Sequence, residues 1–102
     1  MNIHEIGVKI TLARTASTLA LASIAVPVEV DGRETRINLH GFRIITNRYG
    51  NHKHSYKVFP PQIQRARRKS LNIVFFEDAQ TWSGIEAHIA DAYEREMRKE
   101  FA

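Results

Sequence analysis

The most restrictive feature of this sequence is the alternation of apolar and polar residues over much of its first half. Residues 8–12 show this two-residue period, and residues 19–30 and 34–46 repeat it over longer runs. A period of two places successive side chains on opposite faces of a strand, so each run is typical of a strand with one buried face. Asp31 and Gly32 separate the two long runs, and Asp-Gly in this position indicates a tight β-hairpin. The first half of the chain is therefore predicted to form an antiparallel sheet.

Both long runs change frame, and each change indicates a β-bulge. Apolar residues 19–21 follow one frame and residues 24–30 the other, which predicts a bulge at residues 22–23. In the next run the frame changes at Gly41, a residue that tolerates the backbone conformation of a bulge. Pro27 has no N–H to donate, so its part of the strand is predicted at a sheet edge or beside a bulge.

The C-terminal residues have helical periodicity. Ser83 and Glu86 have the spacing of a capping box, which predicts a helix that begins at Ser83 with Trp82 packed just outside it. The predicted apolar stripe, at spacings of three and four residues, consists of Ile85, Ile89, Ala92, Tyr93, Met97 and Phe101.

Three segments join the predicted sheet to the helix. A short strand at residues 55–59 is stopped by Pro60 and Pro61, a basic connector follows, and the apolar run at residues 71–76 is predicted as a buried strand or as a strand ending against the helix. The whole chain, residues 1–102, is predicted to be a single α+β domain. Its expected architecture is a small antiparallel β-sheet of four to five strands with a C-terminal α-helix packed on it.

Charge is distributed unevenly along the chain. Residues 35–76 contain nine Lys and Arg and no Asp or Glu, whereas residues 77–102 contain three bases and seven acids. A polycationic segment points to an anionic partner such as nucleic acid. The alternative is a solvated surface in which the acidic C-terminal segment folds back and neutralises part of the basic one.

The basic segment contains the candidate binding residues, because phosphate binding needs long cationic side chains over an open surface. Tyr49, His52, His54 and Tyr56 lie among them and could stack exposed bases, although Tyr56 is expected to pack on the sheet. The candidate nucleic-acid-binding residues are Arg43, Arg48, Lys53, Lys57, Arg65, Arg67, Arg68 and Lys69.

Other classes of function have weaker support in the sequence. Glu77 and Asp78 are adjacent carboxylates whose side chains diverge in a strand, and such residues are more often caps, with Asp78 a candidate to cap an earlier short turn. No nucleophile or phosphate-loop motif is present, so no enzyme activity is expected. His52 and His54, with a third histidine from elsewhere, match no known metal spacing, and no metal, cofactor or small-molecule substrate is expected. The absence of cysteine suits the cytoplasm, and the apolar run at residues 19–30 is too short to cross a membrane.

The order of several segments resembles the SpoVG family, the stage V sporulation protein G or septation regulators. The segments are "ALASIAV", "GFRII", "YGNHKHSYKVFPP", a basic loop, "IVFFEDAQTW" and "IEAHIADAYEREM", and together they cover roughly residues 6–97. The resemblance rests on order, spacing and length. The chain departs from the family at residues 59–62, where Phe-Pro-Pro-Gln replaces the usual Met-Pro and Ser-Lys-type loop.

The resemblance implies a homodimeric regulator that binds DNA or RNA through basic residues after the proline-ended strand. The matching positions are Arg65, Arg67, Arg68 and Lys69. The expected function is therefore non-enzymatic regulation by phosphate contacts from a basic loop. The alternative is a protein–protein interaction module that uses the basic middle segment and an exposed sheet edge.

Overall fold

The computed structural model describes residues 2–13, 15, 18–46, 56–65 and 67–101. A short 3-10 turn at Ile3–Glu5 opens the chain. The strands and the helix that follow within these residues are β1 (Gly7–Leu12), β2 (Thr18–Val30), β3 (Arg33–Thr46), β4 (Tyr56–Phe59), β5 (Gln62–Arg65), β6 (Arg68–Asn72) and α1 (Ala79–Phe101).

The first four strands form one antiparallel sheet in the order β1-β2-β3-β4, so each strand pairs with its neighbour in sequence. Strands β5 and β6 form a separate two-stranded hairpin. Helix α1 packs against β1, β4 and the 3-10 turn. This arrangement confirms the predicted α+β class with a helix on one face of an antiparallel sheet.

The turn between β2 and β3 has the predicted form. Asp31 and Gly32 have φ angles of 50° and 75°, as a tight hairpin turn with two left-handed residues requires. Pairing between β1 and β2 stops at Gly7 opposite Ala25, so the distal part of the β2–β3 hairpin extends past β1. Pro27 lies in this extension, where its missing N–H leaves no gap in a neighbouring ladder.

The bulge opposite Ala22 and Ser23 belongs to β3, which corrects the prediction that β2 changes frame there. Between the pairs Ala22–Phe42 and Ile24–Leu39, β3 uses one residue more than β2. Ala22 and Ile24 are both buried, so β2 keeps a single frame at this point. Gly41 lies in this bulge and has a φ of 99°, a backbone conformation that glycine tolerates. The frame change in β3 predicted a bulge at this residue.

The core lies between one face of the sheet and α1. Phe42 and Ile44 from β3 meet Ile85 and Ile89 from the helix, and all four are fully buried. The predicted stripe is confirmed at Ile85, Ile89, Ala92 and Tyr93, while Met97 packs at the margin and the Phe101 side chain lies outside the described part of the structure.

Helix α1 begins at Ala79, four residues before the predicted start at Ser83. The Asp78 carboxylate accepts hydrogen bonds from the backbone N–H (3.0 Å) and the hydroxyl (2.6 Å) of Thr81 and so caps the helix. Trp82 therefore lies inside the first helical turn. Its ring stacks at centroid distances of 6.3 Å from Phe42 and 6.4 Å from Phe76.

The apolar run at residues 71–76 is not a buried strand. Strand β6 ends at Asn72, and Leu71, Ile73 and Phe75 are exposed. Val74 and Phe76 pack against the core instead, because the chain turns there from the hairpin towards α1. No helix among the described residues is both long and apolar enough to cross a bilayer.

Candidate nucleic-acid interface

The basic connector forms the closed end of the β5–β6 hairpin, which corrects the expectation of a loop. Arg65 in β5 pairs with Arg68 in β6, and Arg67 lies in the turn between them. Arg67 and Lys69 are exposed, while the side chains of Arg65 and Arg68 lie outside the described part. We call these four cations, Arg65, Arg67, Arg68 and Lys69, the hairpin tip.

Arg67 has a left-handed backbone with φ of 59°. This conformation is unfavourable for a residue with a Cβ atom, and glycine or asparagine usually occupies it. A long, exposed cationic side chain is therefore held in the turn at a cost to the backbone. Strain of this kind is concentrated at functional sites.

The base of the hairpin is attached to the large sheet by one hydrogen bond and one packing contact, and a second hydrogen bond joins its own two strands. The Arg43 guanidinium donates a hydrogen bond of 2.8 Å to the side-chain oxygen of Gln62, and the Gln62 amide donates one of 2.8 Å to Asn72. Pro61 lies against Gly41, where a Cβ atom would come within 3.3 Å of the proline ring. Arg43 thus has a positioning role, and its remaining N–H groups can contact an anion.

Arg43 and Lys57 lie on the sheet face opposite α1, which we call the outer face. Their neighbours along the strands, Ile44 and Val58, are buried on the helix side, so the alternation directs Arg43 and Lys57 outwards. The Lys57 ammonium lies 5.4 Å from the centre of the Phe59 ring, in a cation–π contact.

The predicted set of eight cations therefore divides into groups. The hairpin tip is one, and Arg43 with Lys57 is the other; the contact between Arg43 and Gln62 connects them. Arg48 and Lys53 lie outside the described residues, as do Tyr49, His52 and His54. Tyr56 has a structural role, because its ring packs against the core between β4 and α1 and meets Tyr93 of the helix at a centroid distance of 5.0 Å.

Acidic residues of α1 lie on the other side of the sheet. The Tyr56 hydroxyl donates a 2.6 Å hydrogen bond to Glu94, and burial together with this carboxylate raises the pKa of Tyr56. Burial also raises the pKa of Glu86, and the nearby Lys57 ammonium partly opposes that shift. Lys57 is thus partly neutralised by the helix, whereas Arg43 contacts an amide.

Sequence reasoning missed three outer-face residues, Lys9, Leu21 and Phe59. The signal was present, because each alternates with a more buried neighbour on its own strand. The pairings Thr11–Leu21, Leu21–Arg43 and Arg43–Phe59 place Leu21 and Phe59 in one row across the four strands of the large sheet. Lys9 lies beside this row, opposite Ser23 and two residues from Thr11.

Other features of the described residues give weaker support for a binding site than the cationic surface does. A hollow of about 620 Å³ lies near the distal β2–β3 hairpin, lined by Glu5, Glu29, Glu34 and Arg36 among others, so its charge is mainly negative. No group of three or more His, Asp or Glu is arranged for a metal ion in the described part of the chain.

No protein family, curated protein or solved structure matches this chain.

Proposed function

We propose that this protein is a non-enzymatic, nucleic-acid-binding regulatory protein that holds DNA or RNA mainly by its phosphates. The hairpin tip makes the main contacts, and Arg43 and Lys57 extend the cationic surface. Arg48 and Lys53 remain part of the proposed set from the sequence. The absence of cysteine from the chain fits action in the reducing cytoplasm.

The observation that carries this proposal is the position of the four tip cations. They occupy the closed end of the β5–β6 hairpin, in a stretch of chain, residues 35–76, that contains no Asp or Glu. A two-stranded ribbon can approach a nucleic-acid backbone or enter a groove. Cations placed there release counterions from the phosphates, which favours binding at low salt.

Fluorescence anisotropy with labelled DNA and RNA oligonucleotides over a range of salt concentrations tests the proposal. Four phosphate contacts predict a slope of log affinity against log salt of about −3 to −4. The Arg67→Ala/Arg68→Ala double variant should bind more weakly, and its slope should be shallower by about 1.5 to 2.

The matched control is Arg95→Ala/Arg98→Ala, which removes the same charge from exposed positions on α1. Binding should be nearly unchanged in this control. Equal losses in both double variants would mean that net charge alone drives binding and that the hairpin tip has no special role. Unchanged binding in the tip variant would also contradict the proposal.

A second candidate function is self-association, which would make the protein a homodimer. β4 pairs with β3 only at residues 43–46, so the β3 edge from Arg33 to Phe42 has no strand partner on that side among the described residues. Val30 and Ile37, in the same part of the β2–β3 hairpin, are 56% and 50% exposed. An open edge beside exposed apolar side chains favours pairing of β3 with β3 of a second copy.

Sedimentation velocity over a range of protein concentrations tests the homodimer. Ile37→Lys should shift the wild-type dimer to a monomer, because a charge would be buried at the strand-to-strand contact. Ile63→Lys on the β5–β6 hairpin is the matched control, since Ile63 is 48% exposed and lies on a different element. A monomeric wild-type protein at all concentrations would refute this second function.

A further inference from the structure

In the part of the chain that the structure describes, no helix covers the outer face of the large sheet. On β3 and β4, residues Phe42, Ile44 and Val58 face the core and are buried, whereas the alternate residues Arg43 and Phe59 retain solvent exposure. Strand β2 shows the same contrast, because Leu21 is 45% exposed while Ala20 and Ala22 are buried. Packing by α1 therefore leaves this second face available.

Three cations lie around the apolar surface of this face, and of these Glu86 on α1 partly offsets Lys57. Lys9 and Lys57 are exposed and Arg43 partly exposed. Residues 7–12, 19–25, 41–45 and 56–59 contain no Asp or Glu. Positive charges around the Phe59 ring and the Leu21 side chain complement a polymer that has both anionic groups and flat rings. Nucleic acid, with its phosphates and bases, is such a polymer.

A single row of side chains defines where such a polymer would lie. Thr11, Leu21, Arg43 and Phe59 are directly opposite one another on successive strands. Neighbouring strands are spaced by about 4.8 Å, so the row is about 14 Å long. This length is enough for about two or three nucleotides whose bases are splayed out. A depression of about 230 Å³, lined by Lys9, Ser23 and His40 among others, adjoins the row at Leu21.

We infer that the outer face binds single-stranded nucleic acid, with one base stacked on Phe59 and a neighbouring base over Leu21 beside Lys9. This inference rests on the proposed nucleic-acid function and adds the class of ligand and the base-contacting residues. The bound nucleic acid would continue from this row to the hairpin tip, because Arg43 connects the row to the base of the hairpin through its hydrogen bond to Gln62.

The contact between Lys57 and Phe59 shows how a base could take the place of the lysine ammonium on the aromatic ring. In the free protein the Lys57 ammonium lies over the Phe59 ring, at 5.4 Å from its centre. Base stacking on an aromatic ring is stronger than an exposed cation–π contact. An incoming base therefore displaces the ammonium, and Lys57 becomes available for the phosphate attached to that base.

The geometry selects single strands over duplexes. In a duplex the base faces are stacked on each other and only their edges are accessible in the grooves. A sheet surface contacts base faces only when the bases are splayed out, which occurs in single strands and loops. Phosphate contacts alone give no such preference.

Anisotropy titrations with one oligonucleotide, as a single strand and annealed to its complement, test this inference. The single strand should bind more tightly, and Phe59→Leu should weaken its binding about tenfold, within the range expected for loss of one stacked base. Duplex binding should be unchanged. Phe75→Leu is the matched control, because Phe75 is 63% exposed and lies outside the large sheet.

A second variant protects the test from loss of folding. Leu21→Glu changes an exposed position and places a carboxylate in the row, so it should weaken single-strand binding at least as much as Phe59→Leu does while circular dichroism and thermal unfolding remain as in the wild type. Ultraviolet cross-linking followed by mass spectrometry should locate the oligonucleotide on peptides containing Phe59 and Leu21.

The outcomes separate this inference from the proposed function. If Arg67→Ala/Arg68→Ala weakens binding but folded Phe59→Leu and Leu21→Glu bind normally, the outer-face site is refuted and the hairpin-tip function stands. If no oligonucleotide binds at low salt, both are refuted. If Leu21→Glu instead dissociates a wild-type dimer that binds no oligonucleotide, the outer face is a contact between copies and the inference is also refuted.

Discussion

At the scale of single residues, two backbone positions with positive φ illustrate opposite uses of the same conformation. Gly41, with φ of 99°, permits the β3 bulge because it has no Cβ atom. Arg67, with φ of 59°, occupies the same half of conformational space despite its side chain. The first position serves the sheet, whereas the second is explained by the hairpin tip's proposed contact with phosphate.

Replacing Arg67 with glycine should increase stability and weaken nucleic-acid binding. Relief of the left-handed conformation is worth about 1–2 kcal/mol. The greater freedom of glycine in the unfolded chain offsets roughly 0.5–1 kcal/mol of this gain. Urea unfolding measures the difference, with Arg67→Ala as the control that keeps the strain and loses the charge. Lower stability in Arg67→Gly would mean that the arginine side chain contributes to packing.

Replacing Gly41 with alanine should destabilise the fold by at least about 1–2 kcal/mol, the cost of a left-handed residue with a Cβ atom. The new methyl group would also come within 3.3 Å of Pro61. Gly32→Ala is the matched control, because Gly32 has φ of 75° and open space around it. Thermal unfolding of the two variants should show the larger loss for Gly41→Ala. Equal losses would mean that Pro61 moves freely and does not anchor the hairpin.

At the scale of elements, the helix start shows how one capping residue changes a boundary. Ser83 and Glu86 have capping-box spacing, but the Asp78 carboxylate reaches Thr81 first and the helix begins four residues earlier. The earlier start brings Trp82 into the helix, where its ring stacks on Phe42. The cap therefore determines which residues cover the end of the core.

Replacing Asp78 with alanine should lower the midpoint of thermal unfolding, because the Thr81 N–H and hydroxyl lose their acceptor. The hydrogen bonds from Thr81 lower the pKa of Asp78 in the folded protein. The carboxylate therefore adds stability that is present above its unfolded pKa of about 3.9 and is lost as the pH falls through the lower folded value. Unfolding midpoints at neutral pH and near pH 2 measure this change.

Glu77→Ala controls for the general effect of removing a carboxylate near the helix N-terminus, since Glu77 is exposed and adjacent to Asp78. The Asp78→Ala variant should differ from wild type at neutral pH and converge towards it in acid. A difference that persists unchanged at low pH would show that the cap does not act through the ionised carboxylate.

At the scale of the whole molecule, the large sheet has one face for stability and one for contact with solvent. Ile89 on α1 is fully buried against the inner face, and Leu21 on the outer face is 45% exposed. The acidic helix α1 covers the inner face of the sheet, and Lys9, Arg43 and Lys57 lie on the outer face. Folding and the proposed binding therefore depend on different sets of side chains.

This separation predicts unequal effects for two similar substitutions. Ile89→Ala should cost about 2–5 kcal/mol, because it opens a cavity in the core. Leu21→Ala should change the free energy of unfolding by only about 0.5 kcal/mol, as exposed substitutions usually do. Urea unfolding of both variants measures the contrast. A large loss for Leu21→Ala would mean that another part of the protein or a second copy covers the outer face.

Local chemistry was sufficient to predict several parts of the fold. The Asp31–Gly32 turn, the position of the β3 bulge at Gly41 and the apolar stripe of α1 each depend on residues close in sequence, so their patterns are visible without the structure. The cations of the candidate interface were also recognisable, because charge is a property of composition. Alternation likewise predicted that one face of each strand is buried.

Contacts between distant residues decided the rest. The basic connector became a hairpin because β5 pairs with β6, and its orientation depends on Arg43 reaching Gln62 across 19 residues of sequence. The apolar run at residues 71–76 divides between surface and core because the chain turns there towards α1. Sequence by itself determined which residues alternate and which are charged. Only tertiary packing decided which sheet face α1 covers, and hence which residues remain to meet a ligand, because a helix can bury just one face of a sheet.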